Sequence, residues 1–310
     1  MMKDNQIKTG VLYAALSYLF WGLLPIYWKL LQGLGAVEIL ANRVLWSFVF
    51  MVFLMLVTKK WKEITTLLRS FRANKKQGFM LFLASLLVSC NWFIYIWAVN
   101  AGQIIETSIG YYINPLVSVL LGMIALKEKL TKMQCISVGL ATIGVLILTI
   151  SHGNIPWIAL SLALTFGLYG LAKKLIPLEA GVGLTLETLF ITPFALIYLV
   201  YLFINEDHVF LAVSPGLDIL IILSGIFTAV PLLFFTKGAQ RLPLSMLGFI
   251  QYLSPTIALI LGVFIYHESF TSAHLLSLLF IWTALTIYSF SKTKLFSQTS
   301  RFKRKKGAKI

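Results

Sequence analysis

Charge is what this sequence most lacks. Asp and Glu total 11, and charged residues make up 12% of the 310, about half the share of a soluble domain. That excludes an ordinary water-soluble globular protein. Two cysteines, Cys90 and Cys135, sit in apolar runs outside any CxxC pair. They exclude a disulfide framework and a thiolate metal cluster, and read as small buried hydrophobes. The four histidines, His152, His208, His267 and His274, have no ligand spacing, so no metal is expected. No G-x-x-x-x-G-K-[ST] phosphate loop is present, which argues against a nucleotide-driven pump; no cofactor is expected. Neither a histidine cluster nor a nucleophile paired with a base is evident, which sets a membrane enzyme aside.

What is abundant is apolar surface: 59% of residues are hydrophobic and the mean hydropathy is +0.88. A spanning helix needs about 20 mostly apolar residues. The first run, from Gly10 to Trp28, exceeds a signal-peptide core and lacks a small-residue cleavage site after it, so it reads as a retained span. Ten spans are expected, near 8–28, 36–58, 78–98, 104–126, 132–150, 155–173, 182–204, 217–236, 243–265 and 272–291, with 59–77 the longest loop. The fold class is an all-α integral membrane protein.

The formal net charge of +15 would suit a nucleic-acid partner, but the basic residues follow topology instead. With both termini cytoplasmic, 24 of the 26 Lys and Arg lie on one side: Lys3 and Lys8, seven in the 59–77 loop, Lys127, Lys129 and Lys132, Lys173 and Lys174, Lys237 and Arg241, and eight from Lys292 onward. Lys29 lies opposite and Arg43 inside the second span. The tail, RFKRKKGAK, is an orientation signal that can also rest on anionic lipid. No nucleic-acid partner is expected.

Spans 4–5 overlay spans 9–10 at a shift of 140. Pro115, Gly122, Glu128 and Thr131 fall on Pro255, Gly262, Glu268 and Thr271, so P-x6-G-x5-E-x2-T occurs twice. Span 1 overlays span 6 at a shift of 145, with Ala14, Gly22 and Lys29 on Ala159, Gly167 and Lys174. Five spans per copy is an odd number, so the copies are inverted. The domain reading is a first repeat over 1–151, a second over 152–292 and a basic cytoplasmic tail over 293–310. Inverted repeats place a substrate site near the midplane and allow alternating access.

At these residues the chain resembles the drug/metabolite transporter superfamily, built from two inverted five-helix EamA units that each carry P…G…E before the last helix. The stretches AALSYLFWGLLPIYWKLL (14–31), EILANRVLWS (38–47), NWFIYIWAVNAGQIIETSIGYYINPL (91–116) and PLSMLGFIQYLSPT (243–256) resemble its RarD branch. The resemblance covers about 1–292. It implies a plasma-membrane carrier with cytoplasmic termini, in a superfamily whose members move amino acids and other small metabolites, mostly outward.

Candidate transport residues follow from the cost of polarity in a bilayer, roughly 2.5–3.5 kcal/mol for a central charge. Arg43 is foremost: its guanidinium suits a carboxylate or phosphate, or pairs with Glu38, Glu106 or Glu187. Glu187 and Glu106 are candidates for proton coupling, cation binding, helix capping or that pairing. Four stripes at helical spacing complete the set: Ser17, Trp21 and Pro25; Asn91 and Tyr95, with Trp92 beside them; Glu106, Gly110 and Asn114, next to Pro115; and Gly248, Gln251 and Pro255. Together they would line an aromatic-walled cavity, and singly each can serve as interhelical packing. Pro25, Pro115 and Pro255 are expected to break or hinge their helices. Tyr111, Tyr112, Trp28 and Trp157 read as interfacial belt.

A small-molecule substrate is the expected partner, besides lipid. Gly139 and Gly144 can mediate a homodimer or pack the two halves. The expected function is a secondary transporter, an exporter of small polar or amphipathic molecules; the alternative is a non-transporting scaffold or sensor on a carrier fold.

Overall fold

The computed structural model describes residues 2–31, 34–71, 74–101, 103–153, 156–266 and 271–291. The basic tail, His267 and Glu268 lie outside the described residues, as does the side chain of His152. The described chain is all helical: α1 (Met2–Leu30), α2 (Ala36–Val57), α3 (Trp61–Ser70), α4 (Lys75–Asn100), α5 (Ile104–Ala125), α6 (Lys132–His152), α7 (Trp157–Leu175), α8 (Ala180–Ile204), α9 (Pro215–Arg241), α10 (Leu244–Gln251), α11 (Leu253–Phe264) and α12 (Ser272–Ser291). Among the described residues ten spans are long and apolar enough to cross a bilayer, α10 and α11 together forming one. Helices suit that solvent because each backbone N–H finds its carbonyl within its own segment. Below, "near" denotes the face holding both ends of the described chain and "far" the opposite face.

The 59–77 segment is not all loop: α3 is a short amphipathic helix that buries Ile64 and leaves Trp61, Lys62 and Arg69 exposed. Ten residues with several charges cannot span, but one apolar face lets them lie along the bundle. The ninth span is interrupted at Tyr252, three residues before Pro255, whose ring clashes with the carbonyl four residues back. Pro25 and Pro115, by contrast, lie inside the continuous helices α1 and α5. There neighbouring helices hold the backbone in line, as where Gly248 of α10 packs against the Pro115 carbonyl.

Cys90 and Cys135 are exposed, not buried. In a bilayer an apolar side chain has no need of the protein interior, since lipid solvates it equally well. Lys173 and Lys174, expected at the end of the 155–173 span as part of the one-sided basic set, belong to the last turn of α7. Lys173 is 3% exposed, and the Lys174 ammonium donates to the Leu242 carbonyl. They lie on the basic face but act as structural partners.

Helix packing follows a pseudo-twofold. The α1–α9 contact has its counterpart in α7–α4, α5–α7 in α11–α1, and α2–α9 in α8–α4, while α2–α8, α5–α10 and α6–α12 join equivalent elements. The same symmetry reaches single atoms. A Cβ on Gly22 would lie 2.8 Å from Ile257, and one on its equivalent Gly167 would lie 2.8 Å from Val117, the residue equivalent to Ile257. Gly144 packs α6 on Ser277 and Ile281 of α12, joining the two halves, while Gly139 has open space beside it.

The tightest crossing is α2 on α9, where Gly225 lies directly against the backbone of Trp46 and Ser47 and its carbonyl accepts from Ser47 Oγ at 3.1 Å. No side chain fits between these backbones. Gly225→Leu is therefore expected to abolish the monodisperse folded peak in fluorescence-detected size-exclusion chromatography. Recovery of that peak at wild-type yield would contradict the crossing.

Candidate functional site

Arg43 lies on the second turn of α2, about 10 Å from its far end by helical rise, and faces the interior. Its Nε donates to Thr228 Oγ1 of α9 at 3.1 Å. The guanidinium lies 4.4 Å from the Trp28 ring centroid of α1 and 5.1 Å from that of Trp92 on α4. Tyr95 and Tyr111 extend this wall, their rings 5.9 Å apart, and Tyr27 packs beside Trp28. Tyr111 keeps 43% of its surface accessible although it belongs to this interior cluster, so the protein does not cover the cluster on that side.

The carboxylates expected to pair with Arg43 are engaged elsewhere. Glu38 Oε1 accepts from the backbone N–H of Val209 at 2.8 Å. Glu106 Oε2 accepts from the backbone N–H of Ile158 at 3.1 Å, capping α7. Glu187 meets Lys173 at 2.6 Å and accepts from the Tyr169 hydroxyl at 3.1 Å. Five residues separate Glu38 from Arg43, about 140° around a helix, and that angle sends the two side chains apart. Among the described residues no ion pair forms at Arg43. Two cation–π contacts, worth up to about 2 kcal/mol each when desolvated, are of the size needed to offset its insertion.

Below Arg43, toward the near face, the bundle is sealed. Trp21 packs on Tyr18, Phe166 and Phe235, and Tyr169 stacks on Phe235 with centroids 5.8 Å apart. Tyr18, Tyr169 and Phe235 are at most 1% exposed. Phe235 is seven residues beyond Thr228, roughly 10 Å along α9. A turn further on lies the Lys173–Glu187 pair, beside a void of about 10 Å³ lined by Thr236 and Gln240, room for one water at most. Gln251 joins this seal, accepting from the Tyr18 hydroxyl at 3.4 Å.

The remaining stripe residues hold helices together. Ser17 donates to the Pro231 carbonyl at 2.9 Å, Asn91 to Leu162 O and Thr165 Oγ1, both at 2.9 Å, and Gly110 packs against the Ala159 backbone. Asn114 is buried, its Oδ1 without a partner among the described residues. The four stripes therefore do not converge on one cavity: Tyr95 reaches Arg43, Trp21 and Gln251 the seal, and the others the packing seams.

Two of the aromatics assigned to the interfacial belt belong to the Arg43 cluster, Trp28 and Tyr111, while Tyr112 is buried with its hydroxyl donating to Pro255 O at 3.4 Å. Trp157 remains exposed, tilted on Trp97 at 5.6 Å. Trp28 was readable as one more turn of the Ser17–Trp21–Pro25 stripe. Thr228 and Lys173 were missed. Ser224 and Thr228, four apart in an apolar span, and Lys173, four beyond Tyr169, were the available signals.

A ten-span helical bundle with twofold-related halves, a polar centre within its span and a one-sided aromatic seal defines a multi-pass membrane transporter. The EamA-like transporter family model matches residues 8–150 and again 155–290. Similar proteins include the uncharacterized transporter YojE of Bacillus subtilis, 50% identical over 94% of this chain and 97% of that protein. Protein RarD of Escherichia coli is 42% identical over 93% of this chain and 96% of its own. A solved crystal structure, at 14% identity, matches with a TM-score of 0.67 over 93% of this chain and 99% of the other, a likeness of fold. The chain belongs to the EamA-like transporter family, in its RarD-like branch.

Proposed function

We propose that this chain is a secondary exporter of small metabolites or amphipathic compounds, working by alternating access around the Arg43 recess. It sits in the plasma membrane with both termini cytoplasmic, the orientation favoured by the basic near face. The observation that carries the reading is the seal: the Arg43 cluster is left uncovered by protein at Tyr111 and closed toward the near face by Tyr18, Trp21, Phe166, Tyr169 and Phe235. Such an arrangement is one state of a carrier, open to the far face. Exchanging the roles of the two halves opens the near face, as inverted repeats permit.

Two experiments test it. Untargeted mass spectrometry of medium and cytosol, from cells with and without the overproduced chain, is expected to show compounds enriched outside; their absence would remove the export reading. The second locks the near face. A Cβ on Gly238 would lie 3.1 Å from Ala14 Cβ across α1 and α9, within small adjustment of the 3.5–4.5 Å of a disulfide. In a Cys90→Ala, Cys135→Ala background, Ala14→Cys with Gly238→Cys is expected to stop export when oxidised and to restore it on reduction. Undiminished export by the fully cross-linked chain would rule out opening of the near face between these helices.

A further inference from the structure

We infer that the cargo is an organic anion, carrying one carboxylate or comparable acidic group on a flat apolar body, and that Arg43 is the residue that selects it. This rests on the transport reading above and adds the chemistry of the cargo. The first observation is the state of the guanidinium. Its Nε edge is used by Thr228, and Trp28 and Trp92 pack against it. Among the described residues neither terminal nitrogen makes a hydrogen bond and no carboxylate forms an ion pair with it. That leaves the edge with two parallel N–H groups, the geometry that takes a carboxylate in bidentate fashion.

The second observation is independent and comes from the duplication. The 145-residue shift that places Gly22 on Gly167 also places Trp28 on Lys173. The second spanning helices start 144 apart, at Ala36 and Ala180, which places Arg43 on Glu187. Each half therefore has a charged residue at the same place, on the second turn of its second spanning helix and against the end of its first. In the second half that charge is neutralised within the protein, by Lys173–Glu187 at 2.6 Å with Tyr169 on the other oxygen. In the first half the position equivalent to Lys173 holds Trp28, whose ring packs on Arg43 at 4.4 Å and brings no counter-charge. One centre is a closed ion pair; the other has its cation and lacks the protein anion. A bilayer span favours neutralising such a charge, and the missing partner is supplied by cargo.

The body of the cargo follows from the walls. Trp28, Trp92, Tyr95 and Tyr111 present rings around Arg43, and a flat apolar group gains stacking there that a small inorganic anion does not. The Arg43 cation disfavours amines, which would face it as like charges.

The test uses the full chain in lipid nanodiscs and three probes of one shape: 3-phenylpropionate, 3-phenylpropan-1-ol and 3-phenylpropan-1-amine. Binding is read from tryptophan fluorescence, since Trp28 and Trp92 flank Arg43. The acid is expected to bind about tenfold more tightly than the alcohol, equivalent to about 1.4 kcal/mol, and the amine more weakly than either. Arg43→Gln is expected to remove the preference for acid over alcohol, and Arg43→Lys to keep part of it. Alcohol binding equal to acid, a preference that survives Arg43→Gln, or no response to the acid would each overturn the inference. If Arg43→Gln fails to fold, the wild-type comparison decides.

The cellular assay separates this inference from the transport reading. Exported compounds that are neutral or cationic overturn the anion inference and leave transport standing. Acid-selective binding without export of any compound overturns transport and leaves the site.

Discussion

Lys173→Met is expected to destabilise the folded chain by roughly 3–5 kcal/mol, the cost of removing one partner of a buried ion pair. The pair is sealed: Lys173 is 3% and Glu187 2% exposed, and the nitrogen–oxygen distance is 2.6 Å. Removing the ammonium leaves Glu187 facing the Tyr169 hydroxyl alone, in a void that admits one water at most. The double variant Lys173→Met, Glu187→Gln is expected to regain most of the loss. It buries no charge, and the glutamine oxygen still accepts from Tyr169. The double-mutant cycle should therefore be strongly non-additive. Reversible unfolding in mixed micelles, followed by circular dichroism, measures all four proteins. A single Lys173→Met variant within about 1 kcal/mol of wild type would show that the centre is hydrated.

This centre also shows where sequence reasoning stopped. Span number, the duplication and the inversion were legible because they are recorded as long apolar runs and as residues recurring at fixed shifts. Arg43 and Glu187 were legible because a bilayer makes each internal charge conspicuous. Pairing was not, since it depends on where helices far apart in sequence meet. Lys173 looks like the start of a basic loop, yet α7 continues through it and turns it inward against α8. Glu38 and Glu106 look like partners for an arginine, yet they accept from backbone N–H groups, one of them capping a helix. The four stripes were correctly periodic, but periodicity identifies a face and does not say which neighbour it meets. Thus Asn91 binds a helix while Tyr95, four residues on, borders the recess.

The repeated P-x6-G-x5-E motif acquires a physical meaning that yields the second large prediction. Glu128 receives the backbone N–H groups of Leu244 at 2.6 Å and Ser245 at 3.0 Å, with the Ser245 hydroxyl at 2.7 Å. A carboxylate from the first half thus caps the first turn of α10 in the second, where the helix dipole favours negative charge. The motif's glycine makes this possible, because a Cβ on Gly122 would lie 2.8 Å from Glu128 Oε2. Glu128→Ala strands two backbone donors at roughly 1–3 kcal/mol each. Partial exposure of Glu128 lets water compensate in part, so a loss of about 2–4 kcal/mol is expected. Gly122→Ala should cost nearly as much by pushing the carboxylate off its cap. The two changes combined should then be little worse than either alone, because both remove one interaction. Thermal unfolding of the three variants beside wild type decides the matter. Additive losses would mean that Gly122 and Glu128 contribute separately, and that the clamp between the halves is not what the motif encodes.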